Sequence, residues 1–180
     1  MTRMRTEEEG TTTILTDMML KIKTMAQIHT QLYESRQFDR INLGGQVRGQ
    51  IADLTGIYRK SGTEITSGIE TGEIFLPVDQ AIPCTLIINE ILSNAFKHAF
   101  AGRERGSISV ALENTGGTIR IAIRDDGVGM PQGVDTARAN SLGMKLIRNQ
   151  VQQLKGSLTI NSGAGTEVIV EFPLQGEAVG

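Results

Sequence analysis

The sequence predicts a two-layer α/β (α+β) sandwich, a mixed sheet with helices on one face, preceded by an N-terminal helix. Three observations carry that expectation. Apolar residues recur at helical spacing over most of the chain up to about Ala101. From Ser107 the period drops to two, in "SISVALE" and "TIRIAIRDD", with the turn "NTGG" between them. A helical segment near Leu142 to Leu154 then separates this hairpin from a second one, built of "GSLTI", the turn "NSGAG" and "TEVIVEFP". The order helix, strands, helix, hairpin, helix, hairpin shows no internal repeat and suits one sheet covered on a single face.

Composition bounds the function. A chain of 180 residues, 39% hydrophobic and 21% charged, has the balance of one globular domain plus an appendage. A net charge of −2, few aromatics and no basic stripe argue against a nucleic-acid partner. The single cysteine, Cys84, excludes an internal disulfide and fits a reducing, cytoplasmic compartment. It lies in "IPCTLII" and reads as a small core residue. Cysteine and histidine are too few for a zinc site. No apolar run reaches membrane-spanning length, so no direct membrane insertion is expected. Residues 1–13, "MTRMRTEEEGTTT", contain no apolar signal region and read as a disordered or appended leader.

The elements follow in order. Residues 14–36 carry a heptad-like stripe of Leu15, Met18, Ile22, Met25, His29 and Leu32, which favours packing on other helices. The chain offers no adjacent helix of matching length, so a second copy is the expected partner and a homodimer through 14–36 the expected state. Asn42 is placed to cap a second helix, in which Leu43, Val47, Ile51, Leu54 and Tyr58 share a face. "KSGTE" ends it, and Glu64 to Leu76 holds two short extended pieces around "TGE". A long helix follows from about Val78 to Ala101, with Asp79 near its start and Pro83 in its first turns.

That long helix contains "LIINEILSNAFKHAF", whose polar residues need an explanation. At about 100° per residue, Glu90, Asn94, Lys97 and His98 share one arc beside a core face of Ile88, Ile91, Leu92, Ala95, Phe96 and Ala99. A solvated stripe is the plain explanation. Two details favour a site instead: Asn is a poor helix former, and the stripe mixes a carboxylate, an amide, an ammonium and an imidazole.

Three glycine loops lie downstream. "DDGVGMP" places Asp125 where a buried strand ends, with Gly127 and Gly129 able to take positive φ and let a ligand approach the backbone. A strand-end carboxylate can accept a hydrogen bond from an exocyclic amine such as adenine's. "NSLGMKLI" places Gly143 at a helix start, where free N–H groups attract phosphate. "GAGTE" puts Gly163, Gly165 and Thr166 before the last strand. Each loop is common alone; the order and spacing of all three behind the polar helix are not.

Together the four segments resemble the N, G1, G2 and G3 boxes of the histidine-kinase ATP-binding domain, the Bergerat (GHKL) ATPase fold shared with gyrase, Hsp90 and MutL. "AIPCTLIINEILSNAFKHAF" resembles the N box of HisKA_2 and HWE-like sensor kinases, and "IHTQLYES" resembles the second helix of that subgroup's dimerisation and phosphoacceptor region. The resemblance covers about residues 14–174. It implies an ATP-binding catalytic domain at 41–176 and part of the dimerisation region at 14–40. It implies ATP and Mg²⁺ as cofactors, and an acceptor-histidine helix and a response regulator as partners.

By the same resemblance, Asn94 coordinates Mg²⁺, and Glu90 lies near the metal and the attacking group, making these two the catalytic pair. Lys97 reaches a phosphate, and His98 lies beside the sugar or base. Asp125 binds the adenine amino group, with Gly127, Gly129 and Met130 curving around the base. Pro131 to Leu142 form a lid that ends at Gly143. Gly165 and Thr166 close the adenine side. A single protein oxygen on Mg²⁺ is chemically sufficient when phosphates and water supply the rest.

One feature departs from the family. The chain has two histidines, His29 and His98, and neither is followed by an acidic residue, the usual companion of the acceptor. The acceptor helix is therefore expected outside this chain, which reads as the catalytic half of a kinase, inactive in autophosphorylation by itself. The alternative is a nucleotide-responsive binding module that performs no chemistry. An anti-sigma-type serine kinase on the same fold is disfavoured by "IHTQLYES", since that family lacks a dimerisation hairpin.

Overall fold

The computed structural model describes residues 40–58, 63–130 and 141–175, together with Met19, Ile22 and Ala26. The chain divides into two compact units, residues 1–38 and 39–180. In the first, Met19, Ile22 and Ala26 are helical and exposed. The remaining members of the expected dimer stripe, Leu15, Met18, Met25, His29 and Leu32, lie outside the described residues.

The second unit opens with β1 (Arg40–Asn42) and α1 (Leu43–Tyr58). Asn42 caps α1 as its sequence predicts: its Oδ1 accepts the N–H of Gly45 at 3.1 Å. Gly49 and Gly56, past the first turn and in open space, weaken α1 by about 1 kcal/mol each relative to alanine. Burial of Leu43, Val47, Ile51 and Leu54 offsets that cost. Tyr58 stacks on Phe96 with ring centroids 5.8 Å apart.

β2 (Glu64–Thr71), β4 (Arg105–Thr115), β5 (Thr118–Asp125), β6 (Ser157–Gly163) and β7 (Gly165–Pro173) form one sheet in the order β2-β4-β5-β7-β6. β2 runs parallel to β4 and the other pairs are antiparallel, so the sheet is mixed. β3 (Phe75–Pro77) leaves this sheet and pairs with β1. The sequence marks the extended pieces 64–76 but neither their partners nor β1, because three-residue strands are too short to show a period.

The two sheet faces differ. Ile108, Val110 and Leu112 of β4, Ile119, Ile121 and Ile123 of β5, and Val168, Val170 and Phe172 of β7 are buried. The opposite face carries Arg120, held 3.8 Å from Glu113 and 3.6 Å from Glu171. Among the described residues of this unit, the helices pack on the apolar face, as the alternation predicts.

α2 (Val78–Asn94) is the central helix, with most of its length buried, including the polar Thr85, Asn89, Glu90 and Ser93. Its start is tied to the end of β7: Gln80 Nε2 donates to Pro173 O at 2.8 Å, and Gln80 Oε1 accepts the N–H of Gln175 at 2.9 Å. Gln50 Nε2 of α1 donates to Thr85 O at 3.0 Å. Burial pushes the Cys84 thiol far above its ordinary range, so this residue is the inert core cysteine its sequence neighbours suggest. The helix does not continue regularly to Ala101. It widens into a π turn at Ala95–Ala99, and Ala99 O accepts the N–H of Val128 at 2.8 Å. α3 (Leu142–Gln153) buries Met144, Ile147 and Val151 at helical spacing. Ser141 caps it by accepting the N–H of Met144 at 3.3 Å.

Candidate functional site

The strand period delivers the principal residue of the site. Ile119, Ile121 and Ile123 all face the helices, and two residues further on the same alternation turns Asp125 into the core, at 6% exposure. Thr166 stands opposite Asp125 in the β5–β7 register, and Val168 stands opposite Ile123. Ile160 of β6 stands opposite Val168. One row of the sheet therefore sets Asp125 beside Thr166, and the next row through Ile123, Val168 and Ile160 is aliphatic.

Between this part of the sheet and the helices lies a cavity of about 390 Å³. Its sheet wall is Ile123, Ile160, Val168, Asp125 and Thr166, and its helix wall includes Ile91, Asn94, Ala95 and His98. Met144 and Ile147 of α3 close a further side, and Gly129 and Met130 form part of the rim. Such a slot, apolar on its faces and acidic at one edge, fits a planar heteroaromatic ring that carries an amino group.

Asp125 is held by backbone donors. Its Oδ1 accepts the N–H of Gly127 at 2.9 Å and that of Thr166 at 3.2 Å. Two backbone N–H groups thus fix Oδ1, and among the described residues Oδ2 has no hydrogen-bond donor. The loop after Asp125 depends on two glycines at positive φ. Gly129 has φ +72°, and a Cβ there would stand 2.5 Å from Gly163 O. Gly165 has φ +98°, and a Cβ there would collide with Asp125 O. Gly127 is buried against the Ala99 carbonyl.

Of the residues singled out in the sequence, Asn94, His98, Asp125, Gly129, Met130 and Thr166 line the cavity. Gly127 and Gly165 hold Asp125 and its loop from behind. Glu90 and Gly143 meet across α2 and α3: a Cβ on Gly143 would stand 2.7 Å from Glu90 Oε2. Glu90 is buried, and it and Lys97 both hold other interactions. Neither Lys97 nor Leu142 lines the cavity, and Leu142 is 79% exposed. The expected lid, Pro131 to Leu142, lies outside the described residues apart from Ser141 and Leu142.

The arrangement also admits a magnesium-bound phosphate group. Among the described residues no three His, Cys, Asp or Glu side chains gather as a metal site. The half-buried Asn94 lines the cavity, and among the described residues its amide makes no hydrogen bond. One amide oxygen, completed by phosphate and water oxygens, satisfies Mg²⁺.

The sequence marks Ile91, Ala95 and Ile123 as core positions but does not assign the aliphatic walls to a cavity. Ile123 and Val168 lie two residues from Asp125 and Thr166 on the same strand faces, so the period could have found them. Ile160 requires the β6–β7 register, and Met144 and Ile147 require knowing which face of α3 meets the sheet.

Comparison with known proteins bears on this geometry. Residues 79–176 match the family model described as histidine kinase-, DNA gyrase B-, and HSP90-like ATPase. Residues 1–58 match a second model, described as histidine kinase. The chain is 30% identical over 138 residues to blue-light-activated histidine kinase 2 of Erythrobacter litoralis, covering 76% of this chain and 40% of that protein. It is 27% identical over 174 residues to the sensor histidine kinase PdtaS of Mycolicibacterium smegmatis, covering 94% of this chain and 34% of that one. The chain thus spans less than half the length of these relatives. In fold it is similar to the histidine kinase domain from Erythrobacter litoralis EL346 blue-light-activated histidine kinase, with a TM-score of 0.79 at 24% identity over 88% of this chain and 75% of that one.

Proposed function

The chain belongs to the histidine kinase-, DNA gyrase B-, and HSP90-like ATPase family, and from that premise we propose that its cavity binds ATP and that the chain is the catalytic part of a two-component sensor kinase, transferring the γ-phosphate to a histidine on another helix. The observation that carries this reading is Asp125: a buried strand-end carboxylate, one oxygen fixed by two backbone N–H groups, at the edge of an aliphatic slot. Adenine presents an exocyclic amine to such an oxygen, whereas guanine presents a carbonyl at the corresponding ring position.

The cavity lining supports roles for Asn94, His98, Gly129, Met130 and Thr166, and the family resemblance alone supports those of Glu90, Lys97 and Gly143. Asn94 would hold Mg²⁺, which supplies charge neutralisation between the phosphates. Glu90 orients the attacking group, Lys97 reaches a phosphate, and His98 lies beside the nucleotide's sugar or base. Met130, Gly129 and Thr166 enclose the base, and Gly143 offers the start of α3 to the phosphates. In this reading the protein works in the cytoplasm as a dimer through residues 14–36, with a response regulator downstream. Among the described residues no helix is long and apolar enough to cross a membrane.

The test supplies the acceptor. A fusion carrying a HisKA_2-type phosphoacceptor helix ahead of residue 14 is incubated with γ-labelled ATP beside the unmodified chain. Acid-labile, base-stable label should appear on the fusion and be absent from the chain alone. A fusion that binds ATP yet takes up no label would favour a nucleotide-responsive module without kinase activity.

A further inference from the structure

We propose that Ser162, at the tip of the β6–β7 hairpin, is a positioning residue for the base end of the cavity: it holds the Asp125–Met130 loop against the hairpin and so sets where Gly129 and Met130 meet the nucleotide. The inference rests on the ATP-binding reading above. Ser162 Oγ accepts the N–H of Met130 at 2.7 Å, joining segments 32 residues apart. The start of the loop has its own ties, from Gly127 N–H to Asp125 Oδ1 at 2.9 Å and from Val128 N–H to Ala99 O at 2.8 Å. Among the described residues, the hydrogen bond to Ser162 is the one that fixes its far end.

The fit around that bond is close. A Cβ on Gly129 would stand 3.2 Å from Ser162 Oγ and 2.5 Å from Gly163 O. Ser162 stands opposite Thr166 in the β6–β7 register, and Thr166 stands opposite Asp125 in the β5–β7 register. The hydroxyl that orders the rim and the carboxylate that meets the base therefore belong to one row across the sheet. Met130 and Thr166 line the cavity and Ser162 does not, so Ser162 acts through its neighbours. It is exposed at a hairpin tip, so its hydroxyl contributes little to the core.

Ser162→Ala and Ser162→Thr separate positioning from folding. ATP affinity is measured by calorimetry, stability by thermal midpoint, and the loop by the Met130 amide resonance and its hydrogen exchange. Ser162→Ala should keep the wild-type midpoint, shift the Met130 amide, speed its exchange, and weaken ATP binding about fivefold, the value of one net hydrogen bond. Ser162→Thr, which keeps the hydroxyl, should return all three readouts towards wild type. Ser162→Ala binding ATP as tightly as wild type, or Ser162→Thr binding no better than Ser162→Ala, overturns the assignment. A wild-type chain that binds no ATP would fail the reading of the cavity; the Met130 amide then decides for Ser162, and its being unchanged in Ser162→Ala overturns the proposal.

Discussion

Asp125 Oδ1 accepts the backbone N–H of Thr166 at 3.2 Å, directly across the β5–β7 ladder. The bond places the carboxylate by sheet register, so no flexible side chain is needed to orient it.

Gly165 has φ +98°, and any side chain there would collide with Asp125 O. Gly165→Ala should destabilise the fold by at least about 1–3 kcal/mol, since backbone strain and collision act together. Urea unfolding should show a lower midpoint at an unchanged slope. An unchanged midpoint would mean the strand end is free to rearrange.

Asn94 is predicted to act through the metal. Asn94→Ala should lose most of the gain in ATP affinity that Mg²⁺ confers while leaving metal-free ADP binding nearly intact. Titrations of both nucleotides with and without Mg²⁺ measure the difference. Equal losses in all conditions would assign Asn94 a structural role.

Asp126, the neighbour of Asp125, gives the loop a pH dependence. Its Oδ1 accepts the N–H of Ser107 at 2.7 Å, and this bond, helped by Arg103, holds the carboxyl below the usual aspartate range. A depressed folded pKa contributes stability that is present above the unfolded value, about 3.9, and lost as pH falls through the folded one. Asp126→Asn keeps an acceptor without a titrating group. The stability difference between wild type and Asp126→Asn, followed by urea unfolding, should therefore be constant near neutrality and shift against the wild type below about pH 4. A difference that does not change with pH would remove Asp126 from the account.

The parts of the fold legible in the sequence are those with a long periodic run. The alternation Ile119, Ile121, Ile123 locates β5 and puts Asp125 at its end; the inward turn of Asp125 is seen in the structure. Spacing at three and four residues located α1, α2 and α3, and Asn42 marked its own cap. What stayed hidden depends on distant partners. The parallel pairing of β2 with β4 and the β1–β3 pair leave no local trace. The π turn at Ala95–Ala99 breaks the regular 100° step on which the polar arc was drawn. Asn94 and His98 line the cavity while Glu90 and Lys97 do not. Leu142, expected at the nucleotide, is exposed because Met144 and Ile147 occupy the inner face of α3. Ser162 was unreadable because a serine in a hairpin turn is ordinary until its hydroxyl is seen on Met130 N–H.

The central claim is that the cavity reads adenine through Asp125. Calorimetric titration of ATP and GTP into the wild-type chain and Asp125→Asn tests it most directly. The account predicts saturable ATP binding by the wild type, much weaker GTP binding, and an ATP affinity lowered by about 1–3 kcal/mol in the variant, the cost of a lost charged hydrogen bond. A folded Asp125→Asn that binds ATP as tightly as the wild type, or a wild type that binds ATP and GTP equally, would contradict it.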